Sequence, residues 1–113
     1  MKELIEYFVK NLEYKKHIFE LLNTVKLVLT IENEWESCSI YIDNGMVSMS
    51  PIMMEKKPMK VKIQGDSDVI SLLLDGSLKL REGAIRDELQ VVGSFRNKLL
   101  LESVFYLVGK SRL

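Results

Sequence analysis

The apolar positions of the chain change period several times, and each change marks an element. Leu4, Ile5, Phe8, Val9 and Leu12 follow an i, i+4, i+8 spacing that paints one face of a helix. The pattern weakens from Glu13 to Lys16 and resumes at Ile18, Phe19, Leu21 and Leu22. The opening therefore reads as two short helices or one broken one, ending near Asn23. From Val25 the period becomes two. Val25, Leu27, Leu29 and Ile31 share one face, and Lys26, Thr30 and Glu32 the other, as in a half-buried strand. Asn33-Glu34 reads as a turn. Cys38, Ile40 and Ile42 then alternate with Ser37, Ser39, Tyr41 and Asp43 in a second strand. Asp43-Asn44-Gly45 follows, and Asn-Gly tolerates the positive φ angles of a type I′ hairpin turn. A third strand runs from Met46 to about Ser50. Pro51 cannot donate to a ladder, so this strand ends there or lies at an edge.

Residues 53–58 form a charged connection, after which Met59, Val61 and Ile63 alternate with Lys60, Lys62 and Gln64 in a fourth strand. The stretch from Lys60 to Gly93 organises the rest of the chain. Gly65-Asp66-Ser67 makes a turn in which Asp66 or Ser67 can cap a short apolar helix, Val69 to Leu74. Gly76 can close that helix in a left-handed conformation. Arg81 to Asp87 holds another helical turn, and Leu89 to Val92 a fifth strand ending at Gly93. From Phe95 to Val108 the residues Leu99, Leu100, Leu101, Val104, Phe105, Leu107 and Val108 give a wide apolar surface, ended by Gly109. The order of elements predicts an α+β layer with helices collected on one face of a sheet. There is no internal repeat, low-complexity tract or linker, so residues 1–113 read as one domain.

Composition narrows the class. Of the 113 residues, 47% are hydrophobic and 28% charged, the balance of a globular chain. The formal net charge is zero, which argues against a nucleic-acid binder that relies on a general basic field. Lys56, Lys57, Lys60 and Lys62 lie close together and read as a solvated loop and strand edge. The single cysteine, Cys38, forms no internal disulfide, which fits a reducing cytoplasm. Glu3, Glu6, Lys10 and Glu13 interrupt the N-terminal apolar residues, so no signal peptide is expected. No stretch has the ~18 uninterrupted apolar residues of a membrane span.

Little here suggests chemistry. His17 is the sole histidine, so a His-rich metal site is excluded and His17 reads as a surface residue. Cys38 lies on the apolar side of a strand pattern and reads as a buried, inert thiol. Asp66, Asp68 and Asp75 are explained by capping and turns, without a metal or an acid–base cluster. Trp35 and Tyr41 suit a cross-strand aromatic contact. Met46, Met49, Met53, Met54 and Met59 cluster, and two readings stand: a pocket adaptable to ligands of varied shape, or irregular core filling around Pro51 and Pro58. No nucleophile–base pair, phosphate loop or metal spacing points to an enzyme, and no cofactor is expected.

The spacing of Val61-Lys62-Ile63, Gly65-Asp66, Leu72-Leu73-Leu74-Asp75-Gly76-Ser77-Leu78 and Leu89-Gln90-Val91-Val92-Gly93 resembles the sterol carrier protein 2 family of lipid-binding domains, in its small bacterial form. The preceding hairpin at Asp43-Asn44-Gly45 also fits, and the opening helix is the loosest part. Two positions depart from the pattern: Gly83 stands where alanine is usual, and Asp87 where glycine is usual. Asp tolerates a left-handed conformation, so that turn can survive. The resemblance implies a five-stranded, largely antiparallel sheet with helices on one face, enclosing an apolar cavity. It further implies non-enzymatic binding or carriage of a fatty acid, sterol or similar lipid in the cytoplasm, with room for transient membrane contact or a homodimer. The expected lining is Leu27, Leu29, Ile40, Ile42, Met49, Leu72, Leu73, Leu99, Val104 and Phe105. The alternative is a protein-interaction or dimerisation module that reuses the fold without lipid.

Overall fold

Period-two alternation in five segments and helical spacing in five others dictate the layers. The computed structural model describes residues 1–13, 16–54 and 57–110. In chain order the elements are α1 (Lys2–Glu13), α2 (Lys16–Leu22), β1 (Lys26–Glu32), β2 (Ser37–Asp43), β3 (Met46–Ser48), β4 (Met59–Gly65), α3 (Ser67–Leu74), α4 (Leu80–Ile85), β5 (Leu89–Val92) and α5 (Phe95–Lys110). The break between the first two helices and the charged connection include residues 14–15 and 55–56. These, with the charge expected at Lys56, lie outside the described residues.

The strands form one sheet of order β3-β2-β1-β4-β5. The β1–β2, β2–β3 and β4–β5 pairings are antiparallel, and the central β1–β4 pairing is parallel. The sheet is thus mixed at its centre and antiparallel elsewhere. Register places Leu27 opposite Ile42 and Leu29 opposite both Ile40 and Val61, so the apolar residues of neighbouring strands share one face. That face is buried under the helices. It meets Ile5, Phe8, Val9 and Leu12 of α1, Ile70, Leu73 and Leu74 of α3, and Leu101, Val104, Phe105 and Val108 of α5 in one core. The other face carries Thr30 and Ser39, whose hydroxyls lie 3.0 Å apart across the β1–β2 pair.

The hairpin turn forms as its residues dictate: Asn44 has φ 49° and Gly45 φ 88°, the left-handed pair of a type I′ turn. β3 stops at Ser48, earlier than alternation suggested, and is an edge strand. Asp87 has φ 61°, so the aspartate adopts the left-handed conformation in place of glycine. Gly83 is explained by packing. A Cβ there would lie 2.6 Å from Leu89 Cδ1 and 3.2 Å from Leu78 Cδ2, so two leucines occupy the space an alanine methyl would need.

Three expectations are corrected. Gly109 does not end the last helix but lies inside α5, pressed on the turn after α3. Trp35 lies exposed in the β1–β2 turn, while Tyr41 sits opposite Val28 and Ser48, so the two make no cross-strand aromatic pair. The cap of α3 is supplied from a distance. Asp66 holds the N-cap position, yet its side chain makes no capping bond. Instead the Glu34 carboxylate accepts the Ser67 amide N–H at 3.2 Å and the Ser67 hydroxyl proton. Asn33 Nδ2 donates to Ser67 Oγ at 3.1 Å, while Asn33 Oδ1 accepts the amides of Trp35 and Glu36. The C-terminal end of α3 closes by the expected glycine: Gly76 has φ 83°, and the Gly76 and Ser77 amides donate to the Leu73 and Leu72 carbonyls.

The distant cap makes a pH prediction. Hydrogen bonds from Ser67 hold the Glu34 carboxyl below its ordinary value of 4.5. A depressed folded pKa adds stability that is fully present above the unfolded value and is lost as pH falls through the folded one. Glu34→Gln is therefore expected to lower the thermal midpoint at neutral pH. The gap to the parent protein should narrow as pH drops below the ordinary carboxylate range. Melting curves from neutral to acid pH check this, and a gap independent of pH would refute the assignment.

Candidate functional site: the layer between sheet and helices

The apolar layer is built from strand alternation below and helical stripes above. Leu27 and Leu29 of β1 and Ile40 and Ile42 of β2 point into it from the sheet, and none is more than 1% exposed. Leu73 of α3 and Val104 and Phe105 of α5 close it from the helices. Met49, beyond β3, packs partly buried against the same core. Leu72 and Leu99 lie outside the layer. They are 45% and 36% exposed, because each adjoins the buried stripe of its helix rather than belonging to it. The apolar arc of α5 is accordingly one stripe, Leu101, Val104, Phe105 and Val108, flanked by exposed apolar residues.

The opening helix contributes more than its sequence suggested. Phe8 of α1 is buried and its ring stands 5.2 Å from that of Phe105, tilted by 34°. Such tilted pairs add about 0.5–1.5 kcal/mol beyond area burial. The signal was present in the Ile5, Phe8, Val9 and Leu12 spacing, but nothing local said which helix this face would meet.

Clefts flank the layer at both ends of the sheet. One, of about 610 Å³, lies where β1 and β4 finish and carries Glu32, Glu34, Asp66, Asp87 and Glu88. Another, of about 420 Å³, lies where they start, between Leu21 of α2, Val25, Met59 and Leu100 of α5. Val25 and Leu100 also pack against the core, so this second cleft abuts one end of the apolar layer. α4 is tied over α5 by Arg81, whose Nε and Nη2 donate to Glu102 Oε2 at 2.9 and 2.8 Å. Burial raises the Glu102 carboxyl, but the bonds and charge of Arg81 outweigh it and hold the pKa below the ordinary value.

The groups weighed for chemistry are dispersed. Cys38 is partly buried, and desolvation pushes its thiol pKa up, which keeps it protonated and a poor nucleophile. His17 is exposed on α2. Asp75 Oδ1 accepts the Ser77 amide at 2.8 Å, a turn role. Among the described residues no three His, Cys, Asp or Glu side chains come together as a metal site. Of the clustered methionines, Met49 joins the core margin, whereas Met46, Met53 and Met59 are exposed. Among the described residues no helix is long and apolar enough to cross a membrane.

No protein-family model matches the chain, and no curated protein matches it in sequence. Solved structures match it in shape. The chain aligns with one described as UbiJ-SCP2, a ubiquinone synthesis protein, at a TM-score of 0.66 and 13% identity, over 91% of this chain and 85% of that one. The sterol carrier protein domain 2 of Helicoverpa armigera gives 0.61 at 12% identity, over 96% and 87%. Sterol carrier protein 2 of Yarrowia lipolytica, in its apo form, gives 0.60 at 16%, over 91% and 84%. The fold is therefore the α+β fold of the sterol carrier protein 2 domains, with a five-stranded sheet packed against helices.

Proposed function

We propose that the chain binds and carries an apolar lipid, a fatty acyl chain, sterol or similar molecule, between the sheet and the helices, without chemistry. The observation that supports this best is the continuous apolar layer itself, built in a fold shared with sterol carrier domains. The ligand would leave water for walls formed by Leu27, Leu29, Ile40, Ile42, Met49, Leu73, Val104 and Phe105. Leu72 and Leu99 would turn inward only as α3 and α5 shift. Each buried methylene contributes roughly 0.8 kcal/mol, so a long chain offsets the separation of packed side chains without specific polar contacts. The same arrangement needs no metal or cofactor.

Native mass spectrometry of freshly purified protein, followed by titration with a fluorescent fatty acid, tests the reading. Co-purified lipid adducts and saturable uptake are expected, and Val104→Phe, which crowds the layer at a cost of about 1–3 kcal/mol, should reduce uptake, with circular dichroism confirming that the variant is folded. Absence of both co-purified adducts and any uptake of fatty acid or sterol would overturn it. A second reading, a dimerisation module, draws on the exposed Phe95, Leu99 and Val92. A concentration-dependent dimer in sedimentation, without lipid uptake, would favour it.

A further inference from the structure

A formal net charge of zero conceals a separation of charge along the sheet. Because β1 and β4 are parallel neighbours, both start at one end of the molecule and finish at the other. Seven residues of strand β4 put these ends about 20 Å apart. The finishing end holds the cleft lined by Glu32, Glu34, Asp66, Asp87 and Glu88; among the described residues Lys62 pairs with Glu32 and Arg86 with Glu88, which leaves Glu34, Asp66 and Asp87 as its unpaired carboxylates. The starting end holds the cleft whose charged lining is Lys26 and Arg96, with no carboxylate among its described lining residues. An adjoining groove over the open face of the sheet adds Lys60 and Lys62. Its carboxylate, Glu32, is engaged by Lys62 at 3.2 Å. Asp43 stands opposite Lys26 in the β1–β2 register and weakens that one cation, leaving Lys60 and Arg96 as the exposed cations of this end, with one exposed carboxylate, Glu20, next to Leu21.

The basic end is also apolar. Met59, next to Lys60, is 54% exposed, and Phe95, next to Arg96, is 64% exposed. Leu21 projects from the end of α2 into the same cleft. Large apolar side chains beside unengaged cations suit a surface that offers phosphates in front and hydrocarbon behind. A nucleic-acid duplex offers only the first. The acidic end, some 20 Å away, would be repelled by an anionic surface, so the charge separation sets orientation as well as attraction.

We propose that this end of the molecule docks on a bilayer containing anionic lipid. Leu21, Met59 and Phe95 enter the headgroup boundary, and Lys60 and Arg96, helped by Lys26, face the phosphates. The cleft between α2 and α5, which abuts the apolar layer, then opens toward the bilayer. This goes beyond the lipid-carriage reading and does not depend on it.

Flotation of the full chain with vesicles of phosphatidylcholine, or of phosphatidylcholine mixed with phosphatidylglycerol, tests the proposal. Binding to the mixed vesicles is expected at low salt, with release at about 1 M salt, where the screening length falls to roughly 3 Å. Each cation near an anionic surface is worth roughly fivefold in binding, so Lys60→Gln/Arg96→Gln should weaken it about 25-fold. Met59→Asp should weaken it as well, whereas Lys10→Gln on the outer side of α1 should not. Circular dichroism confirms that each variant is folded. Equal binding to both vesicle types, undiminished binding of the double variant, equal loss in Lys10→Gln, or preference for duplex DNA over vesicles would each overturn it. Fatty-acid uptake without vesicles is read separately: its failure removes the carriage reading and leaves docking standing.

Discussion

Phe105→Ala is expected to lower the unfolding free energy by about 3–5 kcal/mol, the cost of deleting a fully buried aromatic ring whose neighbours relax only in part. Phe105 is 1% exposed and is the point where α5 meets α1 through Phe8, above the sheet residues of the same core. A domain of this size has only about 5–15 kcal/mol in total, so the variant should be close to marginal. The measurement is the urea midpoint at unchanged slope. Leu72→Asp provides the contrast. Leu72 is half-exposed, so this change should cost less, about 1–2 kcal/mol, from partial burial, helix propensity and a negative charge in the last turn of α3. A loss below about 1 kcal/mol for Phe105→Ala would mean that the helices do not close over the sheet as described. Because this variant threatens the fold, loss of lipid uptake in it says nothing about the layer's walls. The volume-filling Val104→Phe is the informative change there.

Gly109→Ala is expected to have the opposite sign from the usual one. Glycine to alanine inside a helix normally stabilises by about 1 kcal/mol. At Gly109 an added Cβ would lie 2.4 Å from the Asp75 carbonyl oxygen and 2.5 Å from Gly76 Cα. Both atoms are backbone, and they belong to the turn held by the Gly76 and Ser77 amide bonds to α3, so neither can yield like a side-chain tip. The methyl must push α5 off that turn, at a cost of about 1–3 kcal/mol in the manner of overpacking, against the propensity gain. Thermal unfolding of the two proteins decides. A higher midpoint for Gly109→Ala would place the end of α5 away from the α3 turn.

These two residues show where the sequence was legible and where it was not. Phe105 fell in an apolar run that any reading of helical spacing marks for burial. Gly109 followed such a run and so looked like a helix stop, the usual role of glycine after a last apolar residue. A close crossing of two backbones leaves the same letter in the sequence. Local geometry alone separates the two roles, and that geometry belongs to residues more than 30 positions apart.

The candidate site divides in the same way. Leu27, Leu29, Ile40 and Ile42 were legible as a set because strand alternation has a period of two, and a shift of one residue would have turned every one of them outward. Leu72 and Leu99 were not resolved from their buried neighbours, because a wide apolar run on a helix does not say which part of the arc faces the sheet. The methionines misled for a related reason. Clustering in sequence carried them to a strand edge and a connection, and only Met49 reached the core margin.

By itself the sequence determined the elements, the hairpin with its type I′ turn, the one-sided burial of the sheet and the left-handed positions at Asn44, Gly45 and Gly76. All of these depend on residues within a few positions of one another, through periodicity, φ preference and ladder bonds. The tertiary structure decided the parallel β1–β4 pairing, the capping of α3 by Glu34, the stacking of Phe8 on Phe105 and the role of Gly109. It also drew the charges of a formally neutral chain toward opposite ends of the sheet. Each of these joins segments distant in sequence, and no local pattern encodes which distant group will arrive to satisfy an unpaired amide, fill a gap or leave a charge exposed.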